Sequence, residues 1–336
     1  MPVQLAAYTA RPRPGVLHAL TALTRLCLQD VRLLGQDDSQ HLTAAARLPS
    51  LQHLHMDVQV EGKLLQPVLT LDVLQLLQLL PLTYLHLQLD TFGNVPAQYF
   101  FRGCLPEGAS RVLSTDAAQH IGQLTRLQHL ALFSRDSSTE QVPLLGHATQ
   151  LLQLTQLTYL GLGAVLNCQL PALSGLGALQ CLELRGCRRL DWTALEGLSK
   201  LQRLQLVEDH TIDDANTAQL LSMLQHQTEL TSLQVQLPYR AAAADITAAA
   251  YAALTASSKL RHLDLCHMIL PEEAWQHILP GPGQRPQLTA LTGCKVAAEI
   301  PAARASLLQA CPDLQRLELY SQSGTFYSRD NKLQVI

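Results

Sequence analysis

Three residues in the first third of the chain could do chemistry together. Cys27 precedes His55 by 28 residues, and His55 precedes His86 by 31, with His53 just before His55. A thiolate with imidazoles is a zinc-like donor set. No compact ligand motif such as CxxC accompanies it, however, so a run of polar, partner-facing side chains is the commoner origin, and no metal or other cofactor is expected. Cys27 and His55 would also make a nominal nucleophile and base, but nothing in the sequence orients the imidazole or supplies an oxyanion hole. There is no HExxH, no GxSxG, no P-loop and no GxGxxG after a strand. A metal-dependent or thiol enzyme therefore ranks last, and the chain is expected not to be an enzyme.

The elements that would position these residues are set by a repeat. The pattern LxxLxL recurs as LTRLCL from Leu23, LQHLHM from Leu51, LTYLHL from Leu82, LQHLAL from Leu127, LTYLGL from Leu157, LQCLEL from Leu179, LQRLQL from Leu201, LTSLQV from Leu230, LRHLDL from Leu260 and LQRLEL from Leu314. LTALTG from Leu288 is a degenerate copy. Successive starts differ by 28, 31, 45, 30, 22, 22, 29, 30, 28 and 26 residues. A short parallel strand would point its first, fourth and sixth residues inward, stacking leucine into a shared core. Between strands, IDDANTAQLLSMLQ reads as a helix started near Asp213 or Asp214, and Pro271 and Pro301 open two more. The two steps of 22 leave room only for a short 3-10 or irregular turn. The apolar stretch from Leu64 to Leu82 holds Pro67, Asp72 and several glutamines, which fits a short amphipathic helix and not a membrane span.

Over residues 23–319 the chain resembles the leucine-rich-repeat superfamily. LQCLELRGCRRLDWTALEGL, with Cys187 after the strand, and ACPDLQRLEL, with Cys311 and Pro312 before one, look like the cysteine-containing and ribonuclease-inhibitor-like subtypes found in F-box substrate receptors. The resemblance implies an α/β solenoid: a right-handed horseshoe of about 11 repeats, with a parallel sheet on its concave face and helices or short turns on its convex face. It departs from the family pattern eight residues after the first leucine. Only Cys187 supplies the usual Asn or Cys there; Val31, Gln59, Asp90, Val165, Asp209 and Pro238 stand elsewhere. No F-box-like segment precedes the array, so a ubiquitin-ligase role rests on repeat subtype.

Aligned repeats turn the outward residues into columns. The third position reads Arg25, His53, Tyr84, His129, Tyr159, Cys181, Arg203, Ser232, His262, Ala290, Arg316. The fifth reads Cys27, His55, His86, Ala131, Gly161, Glu183, Gln205, Gln234, Asp264, Thr292, Glu318. Strands about 4.8 Å apart bring neighbours in a column into contact. Ala131, Gly161 and Gly163 suggest a bare notch walled by Tyr159, Tyr84 and Phe133. The step of 45 marks an insertion near residues 90–114 holding Phe92, Tyr99, Phe100 and Phe101, a concentration in a chain only 4% aromatic. Aromatic residues are enriched at binding hot spots, and long loops are often functional.

Composition narrows the partners. A formal net charge of -3 with no basic run excludes the electrostatic footprint of a dedicated nucleic-acid binder. The eight scattered cysteines and the lack of an NxS/T acceptor suit reduced thiols in the cytoplasm. Residues 1–22 are expected as a flank or minimal cap and 320–336 as a tail too polar for a packed helix. The leading expectation is a protein-interaction scaffold. Its binding residues would be His53, His55, Tyr84, His86, His129, Tyr159, Arg203, His262 and Arg316 on the concave face, with Phe92, Tyr99, Phe100 and Phe101 in the insertion. A substrate-recognition subunit of a ubiquitin-ligase-type assembly is the alternative.

Overall fold

The computed structural model describes residues 3–8, 20–33, 40–61, 71–92, 115–135, 148–163, 173–185, 192–207, 214–235, 248–265, 277–278, 288–296, 313–321 and 326–330. They fall into two compact units, Met1–Pro171 and Ala172–Ile336.

In the first unit, β1 (Val3–Tyr8), β2 (Leu23–Leu33), β3 (His53–Glu61), β4 (Tyr84–Phe92), β5 (His129–Arg135) and β6 (Tyr159–Gly163) pair in parallel in chain order. In the second, β7 (Cys181–Arg185), β8 (Arg203–Val207), β9 (Ser232–Val235), β10 (His262–Asp264), β11 (Ala290–Val296) and β12 (Arg316–Ser321) do the same. The repeat leucines carry both cores. Leu51, Leu54, Leu127, Leu130, Leu157, Leu160, Leu201 and Leu204 are each completely buried. Both units are therefore stretches of α/β leucine-rich-repeat solenoid. At about 1.5–3 kcal/mol per buried aliphatic side chain, these layers are the main source of stability.

The flanks take strand structure. The expected N-terminal flank holds β1, in register with β2. β12 continues to Ser321, and β13 (Phe326–Asp330) pairs antiparallel with it, so a stretch too polar for a packed helix is accommodated as a hairpin strand. β4 likewise runs on through Phe92, so the start of the expected insertion extends a strand.

The connecting segments follow the spacing of their apolar residues. Helices form at Gln40–Ala45, Leu71–Gln78, Thr115–Gly122 and Asp214–Leu224, the last burying Leu220, Leu221, Met223 and Leu224. Both steps of 22 carry 3-10 turns, Leu173–Gly175 and Trp192–Leu195. Two longer steps carry 3-10 helices as well, at Ala148–Gln153 and Ala248–Thr255. Among them a buried period of three runs into the strand: Leu151, Leu154 and Leu157 are buried, as are Leu173, Leu176 and Leu179. Backbone bonds follow that period, with Leu154 N–H donating to Leu151 C=O at 3.0 Å and Leu157 to Leu154 at 2.9 Å. Of the segments opened by Pro271 and Pro301, only His277 and Ile278 are among the described residues.

Two local devices hold the register. In four repeats that begin Leu-Thr, the threonine hydroxyl donates to a backbone carbonyl of the preceding repeat: Thr83 to Gln52 at 3.3 Å, Thr158 to Gln128 at 2.9 Å, Thr231 to Gln202 at 3.1 Å and Thr289 to Arg261 at 3.2 Å. The degenerate copy LTALTG places Gly293 at its sixth position with a φ of 70°, a left-handed conformation that glycine adopts without penalty. The register shifts there, and Cys294 instead pairs with Leu319.

Candidate binding face

The sheet surface opposite the leucine core carries the expected columns, in the expected register. In the first unit Arg25, His53, Tyr84, His129 and Tyr159 are successive partners across β2 to β6. Their rings form a stack: His53 on Tyr84 at 5.5 Å between centroids, Tyr84 on His129 at 4.0 Å and His129 on Tyr159 at 4.0 Å. In the fifth column His55 stacks on His86 at 4.2 Å. Ring pairs of this kind contribute about 0.5–1.5 kcal/mol each beyond burial.

A further outward column appears where β3, β4 and β5 run past the LxxLxL motif. It contains Asp57, Gln88 and Phe133, which are register partners in succession. Apart from Phe133 and Gly163 in the expected notch, the columns expected from the repeat end at the fifth position, although strand alternation continues to a seventh wherever a strand runs on. Asp57 Oδ1 lies 3.1 Å from His55 Nε2 and 3.8 Å from His86 Nε2. Cys27, the expected third member of the trio, is a free thiol and partner to His55 across β2 and β3.

Phe133 removes the expected notch. It is buried, and a Cβ placed on Gly161 would lie 2.6 Å from its Cζ, so the phenyl ring occupies the space that the glycine leaves. Small residues at Ala131 and Gly161 accommodate this ring. His86 meets the same ring edge-on at 5.6 Å.

Packing in the stack favours the neutral forms of His53, Tyr84 and His129. Burial, reinforced by His86, His55 and His53, pushes His129 down to about 4. Burial and Arg25 lower His53, while burial, Cys27 and Asp57 raise Tyr84. Burial and Asp57 raise the Cys27 thiol. That direction is opposite to the one an activated nucleophile needs.

The second unit's face is different. Arg203, His262 and Arg316 are exposed. With Gln205, Ser232, Gln234, Asp264, Thr292 and Gln315 they line an open hollow of about 400 Å³ across β8 to β12. Charges pair along single strands: Arg185 Nε donates to Glu183 at 2.6 Å and Arg316 to Glu318 at 2.5 Å. Arg185 is again a residue beyond the motif, and Glu183, in the outward fifth column, is buried at 7% exposure. Burial pushes the Cys181 thiol up to about 11, leaving it protonated.

Of the expected binding residues, the structure thus joins His53, Tyr84, His129 and Tyr159 in one stack, pairs His55 with His86 beside it, and places Arg203, His262 and Arg316 around one hollow. Phe92 lies at the end of β4, with only its backbone described, and Tyr99, Phe100 and Phe101 lie outside the described residues.

No family model and no curated protein matches this sequence. Among solved structures it is similar to an internalin from Listeria monocytogenes, at 18% identity over 86% of this chain and 80% of that one, with a TM-score of 0.43. It is also similar to the functional domain of InlJ from Listeria monocytogenes, which includes a cysteine ladder, at 15% identity over 88% and 67%, TM-score 0.35. A third is the complex of Rad7 and Elc1 in yeast, at 18% identity over 85% and 73%, TM-score 0.44. The solenoid assignment itself stands on the repeat, the register and the buried leucine layers.

Proposed function

We propose that this leucine-rich-repeat chain is a cytoplasmic protein-interaction scaffold that takes a protein partner on the outward faces of its strands. One observation carries the reading: the hollow of about 400 Å³ across β8 to β12, lined by polar and charged side chains from five successive repeats. Sheet faces lined with hydrogen-bonding groups and charges of both signs suit a protein segment, with the charges setting specificity and association rate. In the first unit, the stacked rings of His53, Tyr84, His129 and Tyr159 offer a rigid aromatic surface. The aromatic insertion around Phe92, Tyr99, Phe100 and Phe101 is the second proposed contact surface.

Catalysis is not part of this reading. Burial holds the Cys27 and Cys181 thiols protonated, and no described helix is long and apolar enough to cross a membrane. The narrower form, a substrate receptor in a ubiquitin-ligase-type assembly, rests on the cysteine-containing repeats around Cys187 and Cys311.

Affinity purification of the full chain followed by mass spectrometry tests the reading. A partner lost by the double substitution Arg203→Glu with Arg316→Glu, at unchanged melting temperature, is the expected result. Equal recovery by the double variant contradicts it. Skp1-like and cullin partners would select the narrower form.

A further inference from the structure

A different feature lies in the first unit, beside the ring stack and independent of any partner. His55 and Asp57 sit two residues apart on β3, so both side chains leave the same face of the sheet, and His86 is the register partner of His55 on β4. One donor atom from each of these three residues lies within 4.8 Å of the other two, the only such set of His, Cys, Asp and Glu among the described residues. Cys27 is not a member.

The pair on β3 has an unresolved electrostatic need. His55 Nε2 and Asp57 Oδ1 are 3.1 Å apart, yet they are not aligned as a hydrogen bond. Both atoms are buried from solvent with no hydrogen-bond partner. Buried polar atoms almost always have a partner, and leaving them without one is costly. A cation beside Asp57 Oδ1 and facing both imidazoles would meet that need at once.

We propose that His55, Asp57 and His86 bind one divalent first-row transition metal ion of the zinc type. Two imidazoles and one carboxylate are borderline-soft and hard donors in the ratio that zinc accepts, whereas magnesium and calcium take oxygen-rich sets. Three protein ligands leave a fourth position open toward the outward face. Zinc bonds of about 2.0–2.1 Å put tetrahedral donors about 3.3 Å apart. The His55–Asp57 spacing of 3.1 Å already meets this, and His86 Nε2, at 3.8 Å from Asp57 Oδ1, has about 0.5 Å to close. Arg25 and Cys27, the charged and titratable neighbours on β2, stay outside the ligand set.

The test uses the full chain with any affinity tag removed, freed of metal by chelation and dialysis, and titrated with zinc chloride by calorimetry and thermal melting. One-to-one binding that raises the melting temperature is expected, with magnesium and calcium chloride inert. His86→Gln and Asp57→Asn should each weaken zinc at least about tenfold, and Cys27→Ser should not. Circular dichroism identical to the parent shows that these outward-facing variants fold. No zinc binding, or binding that survives His86→Gln and Asp57→Asn, overturns the site. Loss in Cys27→Ser also overturns it, because the thiol would then be the ligand.

Discussion

The two units are built on the same repeat and the same kind of leucine core but use their outward faces differently. β2, β3 and β4 are 11, 9 and 9 residues long, whereas β7 and β8 are 5 each and β9 is 4. A longer strand carries an extra outward column. In the first unit that column brings Phe133 over Gly161 and Asp57 beside His55, and the face fills with its own rings. In the second, Arg203, His262 and Arg316 are exposed around an open hollow. In the first unit the residues beyond the motif, Asp57 and Phe133, decide how the face packs on itself.

Substitutions that should affect one face and spare the other can break this comparison. The largest expected effect is on Phe133→Ala, which removes a buried ring and should cost about 3–5 kcal/mol. Arg203→Ala, on the open face, should stay within about 0.5 kcal/mol. Chemical denaturation of both variants checks this, and similar losses would erase the distinction. Gly161→Ala puts a Cβ against the same ring and should cost about 1–3 kcal/mol by overpacking.

Acid should reveal the packed stack next. His129 is held down to about 4 when folded, while the unfolded chain takes up the proton near the ordinary value of 6.5. Stability from this group is therefore complete above about 6.5, falls as the pH drops toward 4 and levels off below it. The loss is about 1–2 kcal/mol once solvent screening of the half-buried ring is allowed for. Melting curves from pH 7 to 4 should show it, and His129→Phe should flatten the profile. The smallest effect is chemical: Cys181, raised to about 11, should alkylate with iodoacetamide at pH 7.5 more slowly than a free cysteine, as peptide mass spectrometry can score.

Much of this architecture is legible in the repeat. Positions one, four and six name the buried leucines, and positions three and five name residues that meet across strands, from His53 and Tyr84 to His262 and Ala290. Less legible is how far each strand continues. Asp57, Phe133 and Arg185 lie beyond the motif, and no leucine marks them. Hence Phe133 is expected as a wall of the notch, whereas its ring lies over Gly161, and Cys27 is expected in a trio with the imidazoles where Asp57 stands instead. The 3-10 segments were readable in part: the steps of 22 leave no room for more, whereas in the longer steps the period-three run of Leu151, Leu154 and Leu157 has to be noticed. The hairpin at β13 had no hydrophobic signal, because Phe326–Asp330 is placed by backbone pairing with β12.

The open face of the second unit is tested most directly by histidine footprinting with diethyl pyrocarbonate, in the free chain and in complex with the partner recovered by purification. His262 is exposed on β10, while His226 is exposed just after the helix Asp214–Leu224, on the helical side of the core. Partner binding should protect His262 and leave His226 reactive. Protection of His226 with His262 still fully labelled would contradict the account.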